Sequence, residues 1–95
     1  MNSYETLFIL RPSLDEEAVK VNVDKFKAII EENGGEVETV DVWGKRKLAY
    51  PINKVNEGIY VLFNFKADSE LPKELTRKFR IADEVIRDII VKHEK

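Results

Sequence analysis

Twice along this chain a strand-like run gives way to a helical apolar stripe and then to a strand-like run again. That order constrains the fold more than any other feature. Tyr4 to Leu10 is rich in aromatic and branched residues and reads as a strand, ended by Arg11-Pro12. Val19, Val23, Phe26 and Ile30 follow at spacings of four, three and four, one apolar stripe of a helix. Ahead of that stripe, Ser13-Leu14-Asp15-Glu16 matches a capping box, in which hydroxyl and carboxylate satisfy the first free amides. Asp15, Glu16 and Glu17 also suit the positive end of the helix dipole. Asn33-Gly34-Gly35 stops the helix, because glycine readily takes the left-handed cap conformation.

The second unit repeats the pattern. Glu36 to Ile52 reads as one long extended segment, Asn53 to Gly58 as a turn, and Ile59 to Phe65 as the strongest strand of the chain. Asp68-Ser69 is expected to cap a second helix whose face carries Leu71, Leu75, Phe79 and Ala82. Glu84 to Lys92 is the last strand, with apolar residues at both parities, which leaves its facing open. The order is βαββαβ, and 95 residues suffice for one two-layer core, so residues 1–95 are expected to form a single domain. The fold class this implies is α+β, the ferredoxin-like sandwich: a four-stranded antiparallel sheet with both helices on one face. Right-handed crossovers put the first and third strands in the centre and the second and fourth at the edges.

Two helices cover only one side of such a sheet. On the first strand Tyr4, Thr6, Phe8 and Leu10 oppose Glu5, Leu7, Ile9 and Arg11. On the third, Ile59, Val61, Phe63 and Phe65 oppose Tyr60, Leu62, Asn64 and Lys66. The second set in each pair begins or ends in polar residues and belongs on the open face. Leu7, Ile9, Tyr60 and Leu62 then form an apolar patch in the open, the mark of a surface that meets a protein partner.

The long extended segment carries a different signal. Between Trp43 and Lys54 stand Lys45, Arg46, Lys47 and Lys54 with no acidic residue, whereas Glu31 to Asp41 holds five acids and no base. The chain as a whole is at net −2, so the basic block is local. A local cationic strand beside aromatics suits an anionic partner, since cations neutralise phosphates and rings stack on unpaired bases. The near-neutral sum argues against a domain that coats nucleic acid unspecifically. Pro51 suggests an edge strand, because proline cannot donate to the ladder, and Gly44 suggests a bulge. Val37, Thr39, Asp41 and Trp43 share one parity and Glu38, Val40 and Val42 the other, which leaves Trp43 between a packing role and an exposed one.

Catalysis has little to stand on. His93 is the one histidine and sits at the chain end, where a frayed side chain is the expectation. No Ser/His/Asp set, metal-spaced cluster or phosphate-cradling glycine loop is present, so catalytic, metal and cofactor sites are expected to be none. Acylphosphatase-like enzymes share the element order, but Arg11-Pro12-Ser13 offers no phosphate nest. RNA-recognition domains share it too, yet Phe8 has the core parity and the basic-aromatic spacing expected on the third strand is missing. The absence of cysteine fits a reducing compartment. The N-terminus lacks the basic start and apolar run of a signal peptide, and Leu7 to Leu10 is too short to cross a bilayer, so the expected location is the cytoplasm.

Tyr4-Glu5, Pro12, Gly34-Gly35 and above all Trp43-Gly44-Lys45-Arg46-Lys47-Leu48-Ala49-Tyr50-Pro51-Ile52, followed by Gly58 and Tyr60, resemble the family of the sixth protein of the bacterial small ribosomal subunit. Arg80-Ile81 and Val85-Ile86-Arg87 match its last helix–strand junction. The resemblance covers nearly the whole chain and implies a non-enzymatic, ferredoxin-like ribosomal protein. It implies pairing with the eighteenth small-subunit protein and joint binding of the central domain of small-subunit ribosomal RNA, in the platform. RNA contact carries over to Lys45, Arg46, Lys47 and Tyr50, and also to Arg80 and Arg87. Lys54 joins them on charge and position alone. Many members carry an acidic tail after the last strand, and this chain stops at His93-Glu94-Lys95, so no role of such a tail is expected. The alternative of another class is a homo-oligomeric ferredoxin-like regulatory domain that binds a small ligand on its open sheet.

Overall fold

The computed structural model describes the backbone of residues 1–52 and 55–93, and the side chains of these except 48–52, 55 and 56. The elements follow in the expected order: β1 (Asn2–Leu10), α1 (Glu16–Glu32), β2 (Glu36–Ile52), β3 (Val55–Ala67), α2 (Leu71–Ile81) and β4 (Val85–His93). The strands lie in the order β2-β3-β1-β4, all paired antiparallel, with β1 and β3 central as the crossover rule requires.

One face of this sheet is closed by the helices. Phe8, Leu10, Val61, Phe63, Phe65 and Ala67 are fully buried against Phe26 and Ile30 of α1 and Leu75 and Phe79 of α2. The centre of that core is aromatic. The Phe8 ring lies 5.2 Å from Phe26, 5.2 Å from Phe63 and 4.8 Å from Phe79. Such ring pairs each contribute about 0.5–1.5 kcal/mol beyond the area they bury. Thr6 also lies in the core, and its hydroxyl donates to the carbonyl of Ile89 at 3.0 Å, which removes the cost of burying it.

Several local expectations need correction. The capping box assigned to Ser13 is not formed. Asp15 is the N-cap of α1, its Oδ1 accepting from the Ala18 amide at 2.8 Å, because the helix starts at Glu16, two residues past the start that a Ser13 cap would set. Neither Asp68 nor Ser69 caps α2 with its side chain. Glu70 holds the N-cap position, and Pro72 is the second residue of the helix, in the first turn where a missing N–H costs nothing. Val55 to Gly58 is strand rather than turn, so β3 runs to 13 residues. Of the predicted turn, Asn53 and Lys54 lie outside the described residues.

The long edge strand β2 departs most from a simple alternation. Its pairing with β3 slips by one residue between Val37 and Thr39 and again between Val42 and Gly44. Each slip is a bulge, two residues of β2 facing one of β3. Gly44 carries the second at φ +82, a conformation that L side chains rarely adopt. The first bulge separates Val37, opposite Phe65 on the helical side, from Thr39, opposite Asn64 on the open side. The single parity expected for Val37, Thr39, Asp41 and Trp43 therefore breaks after Val37.

Candidate interaction surface

Register pairs turn the open face into ordered rows. Arg87, Ile9, Tyr60 and Gly44 form one row across β4, β1, β3 and β2, and Ile89, Leu7, Leu62 and Asp41 form the next. Val91, Glu5, Asn64 and Thr39 make a third. Leu7, Ile9, Tyr60 and Leu62 thus stand together on the two central strands, as their parity requires. Ile9 is only 8 % exposed although it lies outside the helical core, so its neighbours on the open face already shelter it. Leu7, Tyr60 and Leu62 are half-buried.

The patch is wider than the sequence suggested. Ile89 and Val91, on the strand whose facing was open, point to this side and are each 49 % exposed. Val85 and Ile90 take the helical side instead and pack on the core. Trp43 also lies on the open face, its ring parallel to Tyr60 at 8° and 6.1 Å between centroids. Two kinds of signal were missed here. The parity of β4 was undecidable because both of its faces are apolar, and Trp43 faces outward because the alternation slips at Glu38, where no glycine or proline announces a bulge.

Polar groups rim the apolar rows. Asn64 donates to the Thr39 hydroxyl at 2.8 Å, and the Trp43 indole N–H donates to Asp41 Oδ2 at 3.0 Å. Lys66 Nζ lies 3.9 Å from Glu38 Oε2. His93 Nε2 lies 3.6 Å from Glu5 Oε2, so the residue expected to fray is held beside a carboxylate. Exposed contacts of this kind contribute little to stability, about 0–1 kcal/mol each.

The cations expected to meet RNA do not form one surface. Arg46, opposite Gly58, faces the open side, and so does Arg87, opposite Ile9. Lys45, opposite Ile59, and Lys47, opposite Glu57, face the helical side of the same strand. Lys45 there borders an open apolar groove between β2 and α1, with Leu14, Val19, Val23 and Val42. Arg80, on α2, lies near Asp88, which is opposite Phe8 and so also on the helical side. Burial raises the Asp88 pKa above the usual aspartate value, and the Arg80 charge pulls the other way. The side chain of Tyr50 and the whole of Lys54 lie outside the described residues. Arg46 and Arg87 therefore bring positive charge onto the apolar face itself, where the sequence had separated a basic edge from an apolar sheet.

Among the described residues no cluster of His, Cys, Asp or Glu is arranged to hold a metal ion, and no helix is long and apolar enough to cross a membrane.

Comparison with known proteins bears on what such a surface serves. The family model described as ribosomal protein S6 matches residues 3–92. The small ribosomal subunit protein bS6 of Clostridium acetobutylicum is 67 % identical over 95 residues, all of both chains. The protein of the same name from Clostridium kluyveri is 66 % identical, again over all of both chains. The crystal structure of 30S ribosomal protein S6 from Thermotoga maritima superposes with a TM-score of 0.92 at 36 % identity, covering 97 % of this chain and 87 % of that one.

Proposed function

The chain belongs to the ribosomal protein S6 family, whose members are structural proteins of the small ribosomal subunit and not enzymes, and from that premise we propose how it acts. It works in the ribosome, in the cytoplasm, as one domain. A protein partner, the eighteenth small-subunit protein, covers apolar sheet surface around Leu7, Ile9, Tyr60 and Leu62. The composite presents cations to the central domain of small-subunit ribosomal RNA.

The observation that carries this reading is the meeting of two chemistries on the open face. Apolar rows fit a protein, and Arg46 on the β2 edge and Arg87 on the opposite, β4 edge of the same face fit phosphates. Lys45 and Lys47 extend the cationic rim around the β2 edge, and Tyr50 and Lys54 belong to the same stretch of chain. Arg80 is on the other side of the sheet, so RNA would reach it only by a separate approach.

The chain alone is at net −2, so few phosphates are neutralised and its own RNA affinity is expected to be weak. The test is to measure affinity for central-domain RNA with and without the eighteenth protein. Equal, tight binding by the lone chain defeats the cooperative mechanism. A stable homodimer in sedimentation, with no RNA affinity in either case, favours the ligand-binding alternative. Arg46→Glu is expected to lower RNA affinity with the fold intact and to reduce the salt slope by about one. An unchanged slope removes Arg46 from the contact.

A further inference from the structure

The β2 rim of the open face holds an arrangement that neither the apolar rows nor the phosphate-facing arginines use. Trp43, the one tryptophan of the chain, is backed on one side by the parallel Tyr60 ring, yet 41 % of it is exposed. Its indole N–H is tied to Asp41 Oδ2, so the ring and the carboxylate hold each other in place. Asp41 is itself exposed and stands in the row of Leu62 and Leu7. Both residues are on this face because the strand slips at Glu38, and Trp43 is itself the extra residue of the second bulge.

An indole face is a region of negative potential, and a carboxylate beside it deepens that potential. The pair favours a cation and disfavours a phosphate. A nucleobase stacked on Trp43 would bring its own phosphate toward Asp41. Among protein cations, the flat and weakly hydrated guanidinium alone both stacks on a ring and presents a fork of donors to a carboxylate. An ammonium is a point charge and does one or the other.

We propose that Trp43 and Asp41 form the seat for an arginine side chain of the protein partner, at the β2 rim of the open face. The proposal rests on the reading that a protein covers this face. The seat continues that surface directly, through Tyr60 under Trp43 and Leu62 beside Asp41. It makes the partner's docking selective: apolar rows alone accept many surfaces, whereas one fixed cation seat sets the register of one.

The single tryptophan gives its own readout. The chain is titrated with the eighteenth small-subunit protein and, separately, with central-domain RNA, following Trp43 emission, and affinities are taken by calorimetry. The partner is expected to change the emission and RNA alone to leave it unchanged. Trp43→Leu is expected to weaken partner binding about tenfold, the scale of a desolvated cation–ring contact. Trp43→Phe, with a poorer ring, falls between. Asp41→Asn keeps an acceptor for the indole N–H but removes the charge, and is expected to cost about three- to tenfold. The double variant is expected to lose less than the product of the two, since both act on one guanidinium. Circular dichroism and melting of each variant establish that the fold persists.

Wild-type partner affinity in both Trp43→Phe and Asp41→Asn overturns the seat. If Leu62→Gln then still weakens the partner, the open-face reading stands without it; if Leu62→Gln also binds normally, both fall. A change of emission on adding RNA alone, with RNA affinity lost in Trp43→Phe, makes the site a base platform and overturns the proposal. A concentration-dependent emission change with no partner present assigns the surface to a second copy and also overturns it.

Discussion

The two faces of this sheet are built from alternate residues of the same strands, and they use apolar side chains for different ends. Phe8 and Leu7 are neighbours in β1. The first is fully enclosed among Phe26, Phe63 and Phe79, whereas the second stands half-buried between Leu62 and Ile89 with no helix above it. On the helical face the apolar side chains meet one another and exclude water, and their free energy goes into folding. On the open face Leu7, Leu62, Ile89 and Val91 are too exposed to contribute in full, so much of the same hydrophobic free energy is still available for association. Charge follows the same division. Carboxylates on the open face stand beside water and polar partners, while Asp88, turned to the helical side, is displaced from its usual pKa by burial.

Three substitutions press on this contrast. Phe8→Ala empties the centre of the aromatic cluster and is expected to cost about 3–5 kcal/mol in denaturant unfolding, a large share of the stability of a small domain. A loss near 1 kcal/mol would mean that the helical face tolerates cavities and that the contrast is false. Leu7→Ala, one residue away, is expected to cost about 1 kcal/mol, since only part of the side chain leaves water on folding. A loss as large as that of Phe8→Ala would show the open face to be a second core. Asp88→Asn has the smallest effect, and its sign is set by linkage. The folded pKa of Asp88 is raised, so its ionised form opposes folding. The variant is therefore expected to be the more stable one at neutral pH. Its advantage shrinks as pH falls through the raised folded value and vanishes below the ordinary value of 3.8. Urea melts at pH 7 and pH 3 read this directly, and a more stable wild type at pH 7 would mean that the Arg80 attraction outweighs burial.

Element order, strand order and the two faces of the central strands were legible in the sequence, because periodicity alone carries them. Val19, Val23, Phe26 and Ile30 could lie together only on a helix, and Leu7, Ile9, Tyr60 and Leu62 only on the uncovered side. The exact caps were not legible, since Ser13 and Asp15 are both competent and tertiary placement of the first turn chose between them. The site was half legible. Its apolar centre followed from parity, but Trp43, Asp41, Ile89 and Val91 did not. For β4 both faces are apolar and no alternation remains to read. For β2 the alternation is present but interrupted, and counting by twos across Glu38 assigns Val37 and Thr39 to one face when they stand on opposite ones. The cations suffered from the same limit: Lys45, Arg46 and Lys47 are adjacent in the chain and so are divided between the faces of the strand.

The paired bulges of β2 have a consequence for how this strand tolerates change. Side chains alternate with a period of two, so one extra residue works like a frameshift in a message and a second one restores the frame. Odd-numbered positions face the helices at Val37, even-numbered ones at Val40 and Val42, and odd-numbered ones again from Lys45. Only the short passage between the two slips is read out of phase, and it is this passage that carries Asp41 and Trp43 outward. Loss of the one extra residue at either slip would close that bulge into regular pairing and leave every other side chain on its own face. Loss of a residue elsewhere in the strand would instead mistranslate every side chain from there to the next slip or beyond.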